Sequence, residues 1–373
     1  MKGEPISTKH TSLSRGDFLR VAAVGLGTLV GGRLLSACSP APASATLPPA
    51  TATAAVAATV TPTATVTRIP RPEVIRFFPS GLSRVVQTHH AGVWSDKTLV
   101  PGALRQMLDA SITKLTGLND AREAWASLFR PGERIAIKVN AFKNSALWTH
   151  APLVQEVTNS LVEAGIPAGQ ITVFDYSTPE LSTAGFSVNA SNPGVLYTGT
   201  DKNYCVEPSV VMNKKVNLSN ILKECDALIN MPILKIHGMS GITFAMKNHY
   251  GSILFPSDLH SKDMHEVAAL NTLTEIKDRT RLIIGDALSA SLWGASSLPY
   301  WREDWIGDSI FMSFDPVAHD AMGLQLLSNA LEKNGGNPAG MIGIATPVFR
   351  HAAELGLGTN DLASMEVMEQ ALV

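Results

Sequence analysis

Six short apolar runs recur along this chain: Arg84–Thr88, Arg134–Val139, Ile171–Asp175, Ala227–Met231, Arg281–Asp286 and Ser309–Phe314. Each has the brevity and β-branched character of a buried strand. Between them lie stretches of helical period: Pro101–Leu115, Asn119–Leu128, Pro152–Ala164, His265–Arg279 and Pro316–Ala330. Pro152 near a first turn and Gly165 just past an end are the expected helix punctuation. Strands alternating with helices predict a three-layer α/β domain around a largely parallel or mixed central sheet. Residues 177–225 break the rhythm with turn-rich segments and read as an excursion from the sheet. After the loop Gly335–Pro338, a last helix is expected over Pro347–Leu355, stopping at Gly356. There is no internal repeat.

The first 70 residues concern address. Residues 1–38 carry an interrupted apolar run ending in Leu35-Ser36-Ala37-Cys38, the layout of an export signal with a lipobox. Cys38 is the expected lipidation site. Ser14–Arg20 resembles a twin-arginine motif in which Gly16 replaces the second arginine. Residues 39–70 are almost entirely Pro, Ala, Thr, Ser and Val, a disordered tether reaching on the order of 100 Å at ~3.1 Å per residue. The expectation is an exported protein, lipid-anchored on the outer face of the cytoplasmic membrane or cell envelope.

Residues 71–373 are long enough for one large α/β domain. The leader and tether hold six of the 30 basic and two of the 32 acidic residues, leaving 24 and 30 and a net charge of −6. A mildly acidic domain without a basic run is not expected to bind nucleic acid. Beyond Cys38 only Cys205 and Cys225 remain, either one disulfide or two buried thiols. No Cys-x-x-Cys spacing occurs, so no iron–sulfur cluster is expected.

Polar residues gather at the expected carboxyl ends of the strands, where open α/β sheets bind ligands. Lys138 and Asn140 follow the second run, and Asp175 ends the third. Lys235 and His237 follow the fourth, Asp286 ends the fifth, and Asp315 and Asp320 follow the sixth. Within Ile229–Gly251 an apolar strand leads through a small-residue turn into a helix-like segment carrying Ser240, Thr243, Lys247 and Asn248. The spacing of Ser240, Thr243 and Lys247 predicts one helix face whose N-terminal N–H groups would hold an anion. Phe244 and Met246 read as core. Asp315 before Pro316 is a good helix cap, and Lys138 in an apolar strand calls for a partner. Among His150, His237, His249, His260 and His265 no His-x-x-x-His zinc pair occurs.

These segments resemble an uncharacterised family, domain of unknown function 362. The likeness rests on Ile137–Asn140, Val173–Ser177, Asn230–His237, Met246–Gly251, Ile283–Ala287 and Ser313–Asp320, and spans roughly residues 84–330. It implies an α/β domain with Lys138, Asn140, Asp175, Lys235, His237, Lys247, Asn248, His260, Asp286, Asp315 and Asp320 around one site. Many relatives carry a ferredoxin-like cysteine module that implies redox chemistry, and this chain has no such module.

The leading expectation is a tethered enzyme acting on an anionic small molecule. Lys138, Asn140, Lys235, Ser240, Lys247 and Asn248 would bind the anion, and His237, His260 and Asp286 would serve as catalytic acid/base groups. Asp175, Asp286, Asp315 and Asp320 are the candidate ligands of a divalent metal. The alternatives are a non-catalytic solute-binding lipoprotein and a redox protein.

Overall fold

The computed structural model describes residues 81–191 and 193–373. The export signal, the lipobox at Cys38 and the tether lie outside the described residues. Among the described residues fourteen strands follow in chain order: β1 (Ser83–His90), β2 (Trp94–Ser95), β3 (Thr98–Leu99), β4 (Ile135–Lys138), β5 (Ile171–Asp175), β6 (Leu196–Gly199) and β7 (Ser209–Val211). Then come β8 (Lys214–Val216), β9 (Ala227–Asn230), β10 (Ile233–His237), β11 (Gly241–Thr243), β12 (Thr280–Ser291), β13 (Trp305–Ser313) and β14 (Met365–Leu372). Ten of them form one sheet in the order β14-β1-β13-β12-β9-β4-β5-β6, with β10 joined to β12 and β11 to β10.

The sheet is mixed but largely parallel. β12, β9, β4, β5 and β6 run parallel, and β13 is antiparallel to both β1 and β12. Alternate residues of each strand feed opposite faces, which makes three layers. One face buries Val86, Ile135, Ile137, Val173 and Ile229 against the helices Pro101–Thr116, Ala121–Leu128 and Ala151–Glu163. The other buries Val85, Ala136, Phe174, Leu228 and Phe311 with Leu327 and Val348 of the helices Pro316–Lys333 and Ala339–Glu354.

The chain leaves β4 toward β5 and β6, then returns to lay β9 on the other side of β4. That reversal is a topological switch point, and a crevice opens at such points beyond the strand ends. Lys138 and Asn230 are register partners across it.

Several sequence expectations are corrected here. The Ile229–Gly251 stretch continues as a hairpin, β10 to β11, before a helix of four residues, Ala245–Asn248. Gly241 at φ +79° supports the turn, and β-branched Ile242 and Thr243 favour a strand. Ser240, Thr243 and Lys247 therefore share no helix face: Ser240 lies in the turn, where its Oγ donates to Ile242 O at 2.8 Å. Thr243 sits opposite Lys235 in the hairpin. The helix expected over His265–Arg279 is two short ones, His265–Leu270 and Thr274–Lys277. Between them Asn271 turns its amide onto Met246 O and Val267 O. The helix expected at Pro347 starts at Ala339 and runs through the proline, with Met341, Ala345, Val348 and Phe349 buried on its inner face. Cys205 and Cys225 are separate buried thiols. Among the described residues no helix is long and apolar enough to cross a membrane.

Candidate functional site

At the switch point three lysines converge with very different company. Lys138, the last residue of β4, is fully buried and pairs with Asp175 at 2.6 Å. Its Nζ also donates to Val139 O at 2.6 Å and to Asn248 Oδ1 at 3.5 Å. Asp175 is pinned from the other side by Ala141 N at 2.5 Å. Gly251 packs directly on this pair: a Cβ there would stand 2.2 Å from Asp175 Oδ1 and 2.7 Å from Lys138 Nζ. Nearby Glu180 is raised to about 7 by burial and by the Asp175 charge.

Lys235 in β10 is 2% exposed and Lys247 is 8% exposed, yet neither has a carboxylate partner among the described residues. Lys235 Nζ donates to Asn140 Oδ1 at 2.9 Å and lies 4.7 Å from the centroid of the Trp301 ring. Lys247 Nζ lies 3.9 Å from the centroid of the Tyr250 ring and 3.3 Å from His260 Nε2. Burial, with a minor contribution from the Lys138 charge against the pull of Asp175, lowers Lys235 to about 7. Burial and then the Lys235 charge lower Lys247 to about 7. A buried ammonium without a counter-charge is uncommon because desolvation is not offset by ion pairing.

Amides hold the lysines in place. Asn140 Nδ2 donates to Asn248 Oδ1 at 3.4 Å, and Asn248 Nδ2 donates to Asn230 Oδ1 at 2.8 Å and to Lys138 O at 3.1 Å. Asn230 Nδ2 in turn donates to Ala245 O at 2.8 Å. The chain fixes the Asn248 oxygen toward Lys138 and the Asn140 oxygen toward Lys235, so Asn140 presents an acceptor to Lys235.

Two histidine rings complete the cluster. His237 stacks on Trp301 at 5.7 Å, and its Nδ1 accepts from Met239 N and Ser240 N at 3.2 Å each. Burial and the adjacent Lys247 charge hold it neutral, well below the usual histidine range. His260 lies 6.3 Å from His237, and burial with Lys247 lowers it to about 4.

The carboxylates expected as a metal set are engaged separately. Asp175 belongs to Lys138. Asp320 accepts from Ala245 N at 2.6 Å and Met246 N at 3.0 Å, so the protein's own carboxylate already fills the short helix's N-terminus. Asp315 caps the helix Pro316–Lys333 through Val317 N and Ala318 N, and takes Ser83 Oγ and Thr359 N besides. Asp286 is not at a strand end, because β12 continues to Ser291. Its carboxylate accepts from His150 N and Nδ1 at 2.8 Å each and from Leu288 N. Among the described residues no group of three His, Cys, Asp or Glu side chains is placed to hold a metal ion.

His150 is thus tied to Asp286 on one side and faces Ser289 Oγ (3.3 Å) and Glu303 (3.8 Å) on the other. Burial pulls the imidazole down, but the Asp286 and Glu303 carboxylates outweigh it and raise it to about 9. Asp286 is therefore the counter-ion of a cationic histidine instead of a free acid or base beside Lys235.

Sequence reasoning missed Trp301, Tyr250, Asn230 and Gly251. Trp301 arrives from the loop between β12 and β13, far from the motifs in sequence, and no local pattern marks it. Asn230 did carry a signal, as a lone amide ending an otherwise apolar strand.

Fold and site together define a class: a mixed α/β protein with a buried cationic cluster at the switch point of its sheet. A family model described as "Domain of unknown function (DUF362)" matches residues 135–325, and the chain belongs to that family. No curated protein matches. Among solved structures the chain is similar to the lactate racemase apoprotein from Thermoanaerobacterium thermosaccharolyticum, with 9% identity and a TM-score of 0.35 over 65% of this chain and 57% of that one. It is also similar to a structural-genomics target from Thermotoga maritima, with 10% identity and a TM-score of 0.34 over 65% of this chain and 60% of that one. The chain spans less than two thirds of the length of either. At these scores the likeness carries nothing about ligand or reaction.

Proposed function

We propose that this protein is an enzyme acting on an anionic small molecule, held outside the cytoplasm by lipid on Cys38. The observation that carries the reading is the pair Lys235 and Lys247, two buried amines with no carboxylate partner among the described residues. An anion seated between them would supply the missing charge and draw both into the protonated form. Asn140, itself held by Asn248, orients Lys235, while His260 and Tyr250 orient Lys247. His237 and His260, both neutral, stand close enough to move protons on a bound molecule. The main sheet forms one ten-stranded unit, which favours an enzyme over a solute receptor closing two lobes about a hinge. The address rests on the leader and tether composition alone.

The test is calorimetric titration of the full chain in detergent with phosphate and with small mono- and dicarboxylates at pH 8. Two buffers of different ionisation enthalpy count the protons exchanged. At pH 8 each lysine is roughly nine-tenths neutral if it titrates near 7. Binding should therefore take up protons, and Lys235→Met should weaken it at least tenfold. If none of these anions binds, or if binding takes up no proton, the reading is wrong.

A further inference from the structure

We propose that Lys247 is an imine-forming amine that condenses with the carbonyl of a 2-oxo carboxylate whose carboxylate group sits at Lys235. This deepens the anion-binding reading and rests on it. The three lysines of the cluster are not equivalent, and their partners assign the roles.

Lys138 is committed to Asp175 and closed off beneath Gly251. Lys235 is held as a hydrogen-bond donor, because the oxygen it meets on Asn140 is fixed by the amide chain running to Asn248 and Asn230. A donor fixed on a polar acceptor beside an aromatic face is suited to holding a carboxylate.

Lys247 alone faces a neutral base. His260 Nδ1 lies 2.9 Å from Pro256 O, and a carbonyl oxygen only accepts, so Nδ1 carries the proton. The Nε2 lone pair of the neutral ring therefore points to Lys247 Nζ at 3.3 Å. A nucleophile with a base in hydrogen-bond reach, beside a second cation, is the arrangement that activates a lysine. Burial and the neighbouring Lys235 charge bring Lys247 to about 7, so much of it is free amine at neutral pH.

The step balances without a co-reactant. The Nζ electron pair forms a C–N bond as the carbonyl π bond breaks toward oxygen. His260 carries a proton from nitrogen to that oxygen, giving a carbinolamine. A second proton from nitrogen, relayed the same way, lets the hydroxyl leave as water while C=N forms. Overall one free amine and one carbonyl give one imine and one water. The substrate carboxylate stays paired with the Lys235 ammonium throughout.

The test is reductive trapping. The full chain is incubated with pyruvate, the probe, and cyanoborohydride, then digested and mapped by mass spectrometry. The expected result is a secondary-amine adduct on Lys247 in large excess over exposed lysines. Lys235→Met should reduce it at least tenfold. Lys247→Arg keeps the charge but cannot form an imine, so it should still bind propionate, the acid without a carbonyl, while losing the adduct. Modification spread evenly over exposed lysines overturns the proposal, as does an adduct that survives Lys235→Met undiminished. If propionate and pyruvate bind in the calorimeter and no adduct forms, imine chemistry fails and the anion-binding reading stands. If neither binds, both fail.

Discussion

Replacing Lys247 by methionine should make the ligand-free protein more stable. An ordinary lysine titrates near 10.5, and this one is brought to about 7. At ~1.36 kcal/mol per pH unit, that drop corresponds to a penalty on the order of 5 kcal/mol for keeping the folded ammonium buried. The figure is a ceiling, since the methionine gives up the Tyr250 face and the His260 hydrogen bond. A net gain of about 1–3 kcal/mol at pH 7 is the working expectation, in line with buried charges replaced by isosteric apolar groups. The sign of the pH dependence follows from the lowered value. Below pH 7 both folded and unfolded chains hold the proton, and the penalty is fully present. Between 7 and 10.5 the unfolded chain holds more protons, so stability rises with pH as the penalty is lost. His150 works in the opposite direction up to about 9, so wild type alone would mislead. The difference between wild type and Lys247→Met isolates the lysine: the variant's advantage should shrink by about 1.4 kcal/mol per pH unit above 7. Urea denaturation of both chains at pH 6, 7, 8 and 9, without added carboxylate or phosphate, measures it. A variant less stable than wild type at pH 7, by a margin that does not vary with pH, would refute the argument that Lys247 is an uncompensated charge.

Two further substitutions probe the supporting structure. Gly251→Ala drives a methyl into the Lys138–Asp175 pair, and both partners are pinned by other bonds, so a loss of about 3–5 kcal/mol in urea denaturation is expected; a loss under 1 kcal/mol would show that the pair yields freely. Asp286→Asn removes the counter-ion of His150, whose stabilising contribution is fully present below pH 6.5 and lost as pH rises through about 9. The variant should therefore be about 2–3 kcal/mol less stable at pH 6 and closer to wild type at pH 9.5, and equal losses at both would remove the charge from the explanation.

The central strands were legible in the sequence because a strand buried on both faces reads as a continuous apolar run. β4, β5 and β9 carry such runs within a residue or two of their bounds. β10 and β11 were harder to read, since Lys235, His237 and Thr243 interrupt the pattern and a short apolar run with small residues looks equally like a helix start. The lysines of the site were visible for a physical reason, as charges in surroundings that otherwise exclude them. Which carboxylate each would meet was not visible. Asp175 is close to Lys138 only because β4 and β5 are neighbours in parallel register, and Asp286 meets His150 across 136 positions of chain. Pairing of that kind is fixed by topology, and position along the sequence says nothing of it.

That pairing also explains how an acidic domain could hold the proposed anion site. The four aspartates of the candidate set are engaged within the protein: Asp175 on Lys138, Asp320 on the helix at Ala245, Asp315 on the helix at Pro316 and Asp286 on His150. Each accepts a backbone N–H besides any cation, so none can swing toward Lys235 or Lys247 without orphaning a buried donor. The lysines in turn are fixed by side chains that offer lone pairs or aromatic faces but no net charge. With both amines protonated the free protein carries an electrostatic deficit at one point, which either loss of the protons or a negative charge brought from solution would remove. A neutral molecule of the same shape would displace whatever solvates the lysines and return nothing for their charge. On the proposed reading, selectivity for anions, uptake of protons on binding and a destabilised empty cluster would be one property seen in three measurements, because all would derive from the same two amines without a carboxylate partner.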